Sequence, residues 1–174
     1  MIDLNKYNIL VEPLNIETLE TLRLWRNSVS VSEFMEYKKE ISKEEQQLWF
    51  VNINPKKEFY FIIKKDQFSI GMIHINKINS ETKSAEVGLF IGKNNFQGTG
   101  ITFGASLNLL DFAFDELNLN EVFAKVNIAN KNAIMYNSFL GFTEEYALNI
   151  NFTMWKLTCE TYKKNKAKIE KYLL

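Results

Sequence analysis

Six residues, Gln97-Gly98-Thr99-Gly100-Ile101-Thr102, stand between a segment that alternates like a strand and one that repeats like a helix. Glycines at a strand-to-helix turn let backbone amides converge, and the positive end of the helix adds to them. The chemistry that this spacing suits is the holding of phosphate. Two glycines fall short of the dinucleotide fingerprint, and no Gly-Lys-Ser/Thr follows to make a P-loop. A plain tight turn is the alternative reading of the same residues. Elsewhere, Arg23 and Arg26 are the only arginines among 21 basic residues, and a guanidinium suits bidentate anion binding. Cys159 is the only cysteine, so neither an intrachain disulfide nor a zinc cluster is expected. His74 is the only histidine.

The elements that must position these residues can be read from periodicity. A strand is predicted from Tyr7 to Leu14, followed by a helix capped by Asn15 with Leu19, Leu22 and Trp25 at helical spacing. Ser42-Lys43-Glu44-Glu45 is a capping box, and the helix it starts carries Leu48, Trp49 and Ile53. Strands are predicted over Phe59–Lys64, Ser69–Lys77 and Ser84–Gly92. After the glycine turn comes a helix with Phe103, Leu107, Leu110 and Phe114 on one face. A strand over Glu121–Ile128, a helix over Asn130–Leu140 stopped by Gly141, and a strand over Phe152–Thr158 complete the body. The lysine-rich stretch 160–174 reads as a solvated surface helix. Strands that first meander and then alternate with helices imply a mixed α/β sheet with helices packed on it, in one domain over residues 1–174.

The 174 residues are 46% hydrophobic, 14% aromatic and 24% charged, with a formal net charge of zero, so no strong field favours nucleic acid. The N-terminus lacks a basic region followed by an apolar one, and the longest apolar run, Phe59 to Ile63, is far too short for a membrane span. A cytoplasmic chain without membrane or nucleic-acid partners is the expectation.

About 30 residues beyond the glycine turn come Asn130-Lys131-Asn132-Ala133-Ile134 and then Leu140-Gly141-Phe142. With Gln97-x-x-Gly100 before them and a strand between, these motifs resemble the GNAT superfamily of N-acetyltransferases. The resemblance implies a central mixed sheet of six to seven strands (α/β, or α+β), splayed at the cofactor site, with helices on both faces. It implies acetyl-CoA as co-substrate and no metal. Amides of Gly98, Thr99, Gly100, Ile101 and Thr102 would hold the pyrophosphate, with Gln97 beginning the loop. The strand end Phe90-Ile91-Gly92 would run along the pantetheine arm, and Asn130 would bond the cofactor near its thioester. The chain departs from the pattern at Thr102, where Gly or Ala is usual, and at Asn137, where a proton-donating Tyr is common; Tyr136 stands one residue earlier. Glu86, on the strand bordering the thioester, and His74, on its neighbour, are the candidates for taking the proton of the substrate ammonium.

A second pattern, Trp25-Arg26-Asn27, then Met35, then Ile41-Ser42 and Trp49, is similar to the subgroup that acetylates nucleotide-linked amino sugars in the pseudaminic-acid pathway. Related sequences carry His in the helix after Ile-Ser, where this chain has Gln46. The expected acceptor is therefore a nucleotide-activated amino-deoxy sugar. Arg26 would meet its diphosphate, and Trp25, Asn27, Met35 and Trp49 would bind the rest. Homodimer formation is allowed for. The competing readings are a protein N-terminal or small-molecule amine acetyltransferase, and a non-catalytic CoA-binding protein.

Overall fold

The computed structural model describes residues 4, 6–96, 100–171 and 173. Seven strands form one sheet in the order β1-β2-β3-β4-β5-β7-β6. They are β1 (Leu10–Pro13), β2 (Phe59–Lys65), β3 (Phe68–Asn79), β4 (Ser84–Ile91), β5 (Glu121–Asn127), β6 (Thr143–Ala147) and β7 (Phe152–Thr158). Every neighbouring pair is antiparallel except β4 and β5, which are parallel. The helices are α1 (Ile16–Asn27), α2 (Val29–Ser32), α3 (Lys43–Val51), α4 (Ile101–Asp111), α5 (Lys131–Leu140) and α6 (Cys159–Glu170). This is the GNAT fold that the motifs implied, with the larger of the two expected strand numbers.

Alternation decides the two faces of the sheet. Ile62 pairs with Met72 and Met72 with Phe90, and this face packs against Leu22 and Trp25 of α1. The opposite face, with Phe61, Ile63, Ile73, Ile75, Val122 and Leu157, is covered by the main core. There α4 is buried on nearly all sides, as a helix through the middle of a core must be. Both predicted caps form: Asn15 and Ser42 each make a reciprocal capping box. Gly141 ends α5 at φ 100°, a conformation that favours glycine.

Several expectations are corrected. The first strand starts later, at Leu10, because Tyr7 and Asn8 take left-handed backbone conformations. In α3 only part of the expected apolar face turns inward: Trp49 packs against the Trp25 cluster, but Leu48 and Val51 are exposed, and Gln46 is buried. The stretch 160–174 is not a merely solvated helix. α6 buries Tyr162 and Ile169, together about 3–6 kcal/mol of transfer free energy. It also sets Lys166 against the buried Asp111 of α4, at 2.7 and 2.9 Å from the two carboxylate oxygens. The hydroxyls of Tyr7 and Tyr162 donate to the same carboxylate at 2.6 Å each. No helix among the described residues is long and apolar enough to cross a membrane.

Candidate functional site

The parallel ladder between β4 and β5 consists of three pairs, Ser84↔Glu121, Ala85↔Val122 and Glu86↔Phe123, and stops there. Val87, Gly88 and Leu89 have no ladder partner on β5, so the strands open as a wedge toward their carboxyl ends. The chain leaves β4 at Ile91 and β5 at Asn127, so the N-termini of α4 and α5 stand at the open end. Helix N-termini there supply positive potential and free amides. Gln97, Gly98 and Thr99 lie outside the described residues. Gly100 precedes the first turn of α4, and Phe103 N–H donates to its carbonyl at 3.1 Å. The side chain of Thr102 is buried, and Ile101 is half-buried. Asn130 caps α5, its Oδ1 accepting from Ala133 N–H at 3.0 Å, which leaves the amide nitrogen for a ligand.

Phe90 and Ile91 are both buried, on opposite faces. Gly92 donates to the Ile70 carbonyl at 2.9 Å and lies directly under the Trp25 ring. A β-carbon at Gly92 would sit 2.1 Å from Trp25 Cδ2, so glycine is required for the indole to pack there. One residue proposed for the cofactor and one proposed for the acceptor thus share a contact.

Beside them is a cavity of about 230 Å³, floored by Tyr60, Met72, His74 and Asn76 and walled by Leu22, Arg26, Ile41, Gln46 and Trp49. Trp49 meets Tyr60 edge-on at 4.8 Å, and Tyr60 stacks on His74 at 5.4 Å. Asn76 Nδ2 donates to the Tyr60 hydroxyl at 3.3 Å. Among the described residues, three buried side-chain polar atoms have no hydrogen-bond partner: Arg26 Nε, His74 Nδ1 and Asn76 Oδ1. All three belong to residues lining this one cavity. Buried polar atoms are ordinarily satisfied, so their convergence marks a place where water or a polar ligand completes the bonding. The lining contains a guanidinium and no carboxylate. Burial lowers the Arg26 pKa, partly offset by the nearby Tyr60, and burial holds His74 down to about 4, helped by the positive Arg26 and Lys77. His74 is therefore neutral near pH 7.

His74 also joins the cavity to the wedge. It pairs across the ladder with Gly88, two residues beyond the last β4–β5 pair. A β-carbon at Gly88 would lie 2.4 Å from His74 Cε1. Gly88→Ala is expected to displace the imidazole and lower kcat/KM by about 10²-fold, the scale on which misplaced groups act. Steady-state kinetics with an unchanged kcat/KM would show that the ring position does not matter.

The remaining candidates have defined surroundings. Glu86 shares the face of Gly88 and Phe90, and Lys77 reaches its Oε1 at 2.7 Å. Lys77 does so from a left-handed conformation at a register shift in β3. The Tyr136 hydroxyl donates to the Thr102 carbonyl at 2.8 Å. Its single proton is thereby engaged, so Ser106 Oγ, 2.7 Å away, is the donor to the phenol oxygen. Burial raises the Tyr136 pKa further above its ordinary value. Asn137 turns its Nδ2 back to the Ala133 carbonyl at 2.8 Å. Asn27 bonds both backbone groups of Ile41, and Met35 packs half-buried against the Trp25 cluster. Sequence reasoning missed Tyr60 and Asn76. The alternation Met72-His74-Asn76 on one strand was the signal that would have found the latter.

The family description "Acetyltransferase (GNAT) domain" matches residues 8–143. The chain belongs to this family. GNAT enzymes use acetyl-CoA, and the wedge of this GNAT domain offers backbone and helix N-termini suited to it. The domain is similar to acetyltransferase PseH of Campylobacter jejuni, 30% identical over 122 residues that make up 70% of this chain and 74% of that one. It is also similar to the spermidine N(1)-acetyltransferase of Escherichia coli, 27% identical over 147 residues, 84% of this chain and 78% of that one. Two further curated acetyltransferase relatives are matched over 48% and 40% of their own lengths, so the chain spans about half the length of these. Among solved structures, the spermidine N-acetyltransferase of Vibrio cholerae in complex with CoA and spermine superposes with a TM-score of 0.78. That match covers 90% of this chain and 98% of that one at 23% identity, and it speaks to the fold.

Proposed function

We propose that this GNAT domain transfers acetyl from acetyl-CoA to the amine of a nucleotide-linked amino-deoxy sugar. The observation that carries the reading is the cavity around Arg26, which offers an unpartnered guanidinium nitrogen, aromatic walls and no carboxylate. A half-buried cation without a counter-ion is matched by an anionic group such as a diphosphate. The resemblance of the segment from Trp25 to Trp49 to the subgroup that acetylates nucleotide-linked amino sugars supports the same acceptor class. A polyamine is the second reading. The spermidine acetyltransferase relative favours it, as does a second cavity of about 450 Å³ at the carboxyl end of β5, lined in part by Glu33 and Glu36. Lys125 already pairs with Glu36 at 2.8 Å, which weakens that second site for a polycation.

In this reading, acetyl-CoA supplies the activated acyl group. Amides from Gly98 to Thr102 hold its pyrophosphate, with Gln97 at the start of the loop. Phe90 to Gly92 run beside its arm, and Asn130 bonds it with its amide nitrogen. Glu86 accepts the ammonium proton through water. His74, held neutral by burial with its Nδ1 unpartnered, acts as a hydrogen-bond partner. Tyr136 and Asn137 keep their protons on helix carbonyls, so water returns the proton to the departing thiolate. Trp25, Arg26, Met35 and Trp49 shape the acceptor side. No covalent enzyme intermediate is needed, and positioning supplies much of the rate.

The test is a panel of nucleotide amino sugars, spermidine, peptide N-termini and small amines, read by thiol release and mass spectrometry. The expected result is acetylation of a nucleotide amino sugar with kcat/KM at least about 100-fold above that for spermidine. Preference for spermidine would overturn the acceptor assignment, and CoA binding without release from any amine would leave a non-catalytic protein.

A further inference from the structure

We propose that Asn27 and Arg23 are positioning residues that fix one wall of the Arg26 cavity through the backbone of Ile41, a role that rests on the acceptor reading of that cavity. Ile41 lines the cavity but lies in a stretch with neither helix nor strand, so nothing regular holds it. The Asn27 side chain bonds it at two points. Its Nδ2 donates to the Ile41 carbonyl at 2.9 Å, and its Oδ1 accepts from the Ile41 N–H at 2.9 Å. A carboxamide placed this way does for one residue what a neighbouring strand does for many. Arg23 Nη1 donates to the same carbonyl at 3.0 Å. Glu20 holds the rest of that guanidinium, its two oxygens 2.9 Å from Nε and Nη2. Arg23 is thus pre-aimed at Ile41.

The next residue, Ser42, begins the capping box of α3, with Ser42 N–H donating to Glu45 Oε2 at 2.7 Å. The position of Ile41 therefore passes directly into α3, which carries Gln46 and Trp49 on the cavity side. Arg23 and Asn27 are four residues apart on α1 and share a face, while Arg26 on the same helix turns into the cavity. One helix therefore supplies both the cation that meets the ligand and the ruler that sets the distance to the opposite wall. Both functional ends of the Asn27 amide are engaged by Ile41, so Asn27 acts through the wall and not on the ligand.

The test compares Arg23→Ala, Asn27→Ala, Asn27→Asp and the Arg23→Ala/Asn27→Ala double variant. Two readouts apply: the KM of acceptor and of acetyl-CoA, and hydrogen exchange over residues 38–49. Each single alanine variant should raise the acceptor KM by about fivefold, the scale of one hydrogen bond, with kcat and the acetyl-CoA KM within about twofold. Asn27→Asp keeps an acceptor for the Ile41 N–H and should retain slower exchange there than Asn27→Ala; it also serves if the alanine variant folds poorly. The double variant should exceed the product of the singles, since only it leaves the Ile41 carbonyl without either donor. Unchanged exchange over 38–49 would overturn the proposal, and so would faster exchange with an unchanged acceptor KM, or equal rises in both KM values. If the wild-type protein acetylates no amine, the acceptor reading has failed. The exchange measurement, which needs no substrate, then decides the wall by itself.

Discussion

Replacing Lys166 with alanine will lower the unfolding free energy by about 3 kcal/mol near neutral pH, because it strips the cation from a buried carboxylate. Asp111 has a side chain 7% exposed, and Lys166 is itself 27% exposed. Burial by itself would raise the Asp111 pKa, but hydrogen bonds from Lys166, Tyr162 and Tyr7 hold it below its ordinary value. A carboxylate with a depressed folded pKa contributes stability that is present above its unfolded value and lost as pH falls through the folded one. The gap between wild type and Lys166→Ala should therefore be full from about pH 5 to 9 and shrink below pH 4. Lys166 works in the opposite sense. Burial lowers its pKa, but Asp111 and Tyr7 raise it overall, so its contribution is present below the ordinary lysine range and lost only at strongly alkaline pH. Burial, and then Asp111, push Tyr7 up to about 12 against the lowering effect of Lys166, so this phenol stays protonated across that window. Urea unfolding of both proteins at pH 3, 5 and 7 tests this. A constant gap would mean that Lys166 acts by packing on the Tyr7 and Tyr162 rings, 5.7 and 5.9 Å from its nitrogen.

The largest functional effect is expected at Arg26. Arg26→Ala should reduce kcat/KM for the acceptor by roughly 10²- to 10³-fold, the range for removing one member of a desolvated charge pair. The KM for acetyl-CoA should move less than about twofold. Arg26→Lys should recover only part, because a point charge does not reproduce the guanidinium fork. Stability should move the other way. With Nε unpartnered by protein groups, Arg26 is a partly desolvated cation, and Arg26→Met should raise the melting midpoint of the protein measured without substrate. Together the two signs separate a ligand-binding arginine from a structural one. A midpoint that falls along with activity would assign Arg26 to the fold.

Much of this architecture was legible in the residues. The helix caps at Asn15 and Ser42, the β2 to β4 meander and the stop at Gly141 follow from local rules, and each formed close to where spacing placed it. β6 escaped because Thr143-Glu144-Glu145-Tyr146-Ala147 has no apolar alternation, and every residue of it is exposed at the sheet edge. α6 was misjudged because its lysines dominate the composition, while two side chains, Tyr162 and Ile169, decide its docking. In the site, residue types pointed to Arg26, Trp49 and His74. They could not reveal that Asn27 bonds Ile41, because that pairing depends on how an irregular stretch folds back across 14 residues. Nor could they reveal that Gly88 and Gly92 exist to admit the His74 and Trp25 rings, since the partner of a missing side chain is not written beside it.

The short β4–β5 ladder also has a mechanical meaning. It joins a plate of four strands, β1 to β4, to a plate of three, β5 to β7, through only three residue pairs. A sheet resists bending through its ladders, so this seam is its most compliant line, and the plates can flex about it as a book does about its spine. On the core side the spine is braced, because α4 packs on β3, α6 packs on β7, and Asp111 and Lys166 tie the two helices together. Flexing is thereby directed toward the open end of the wedge, where a molecule lodged between the two strands would act as a splint.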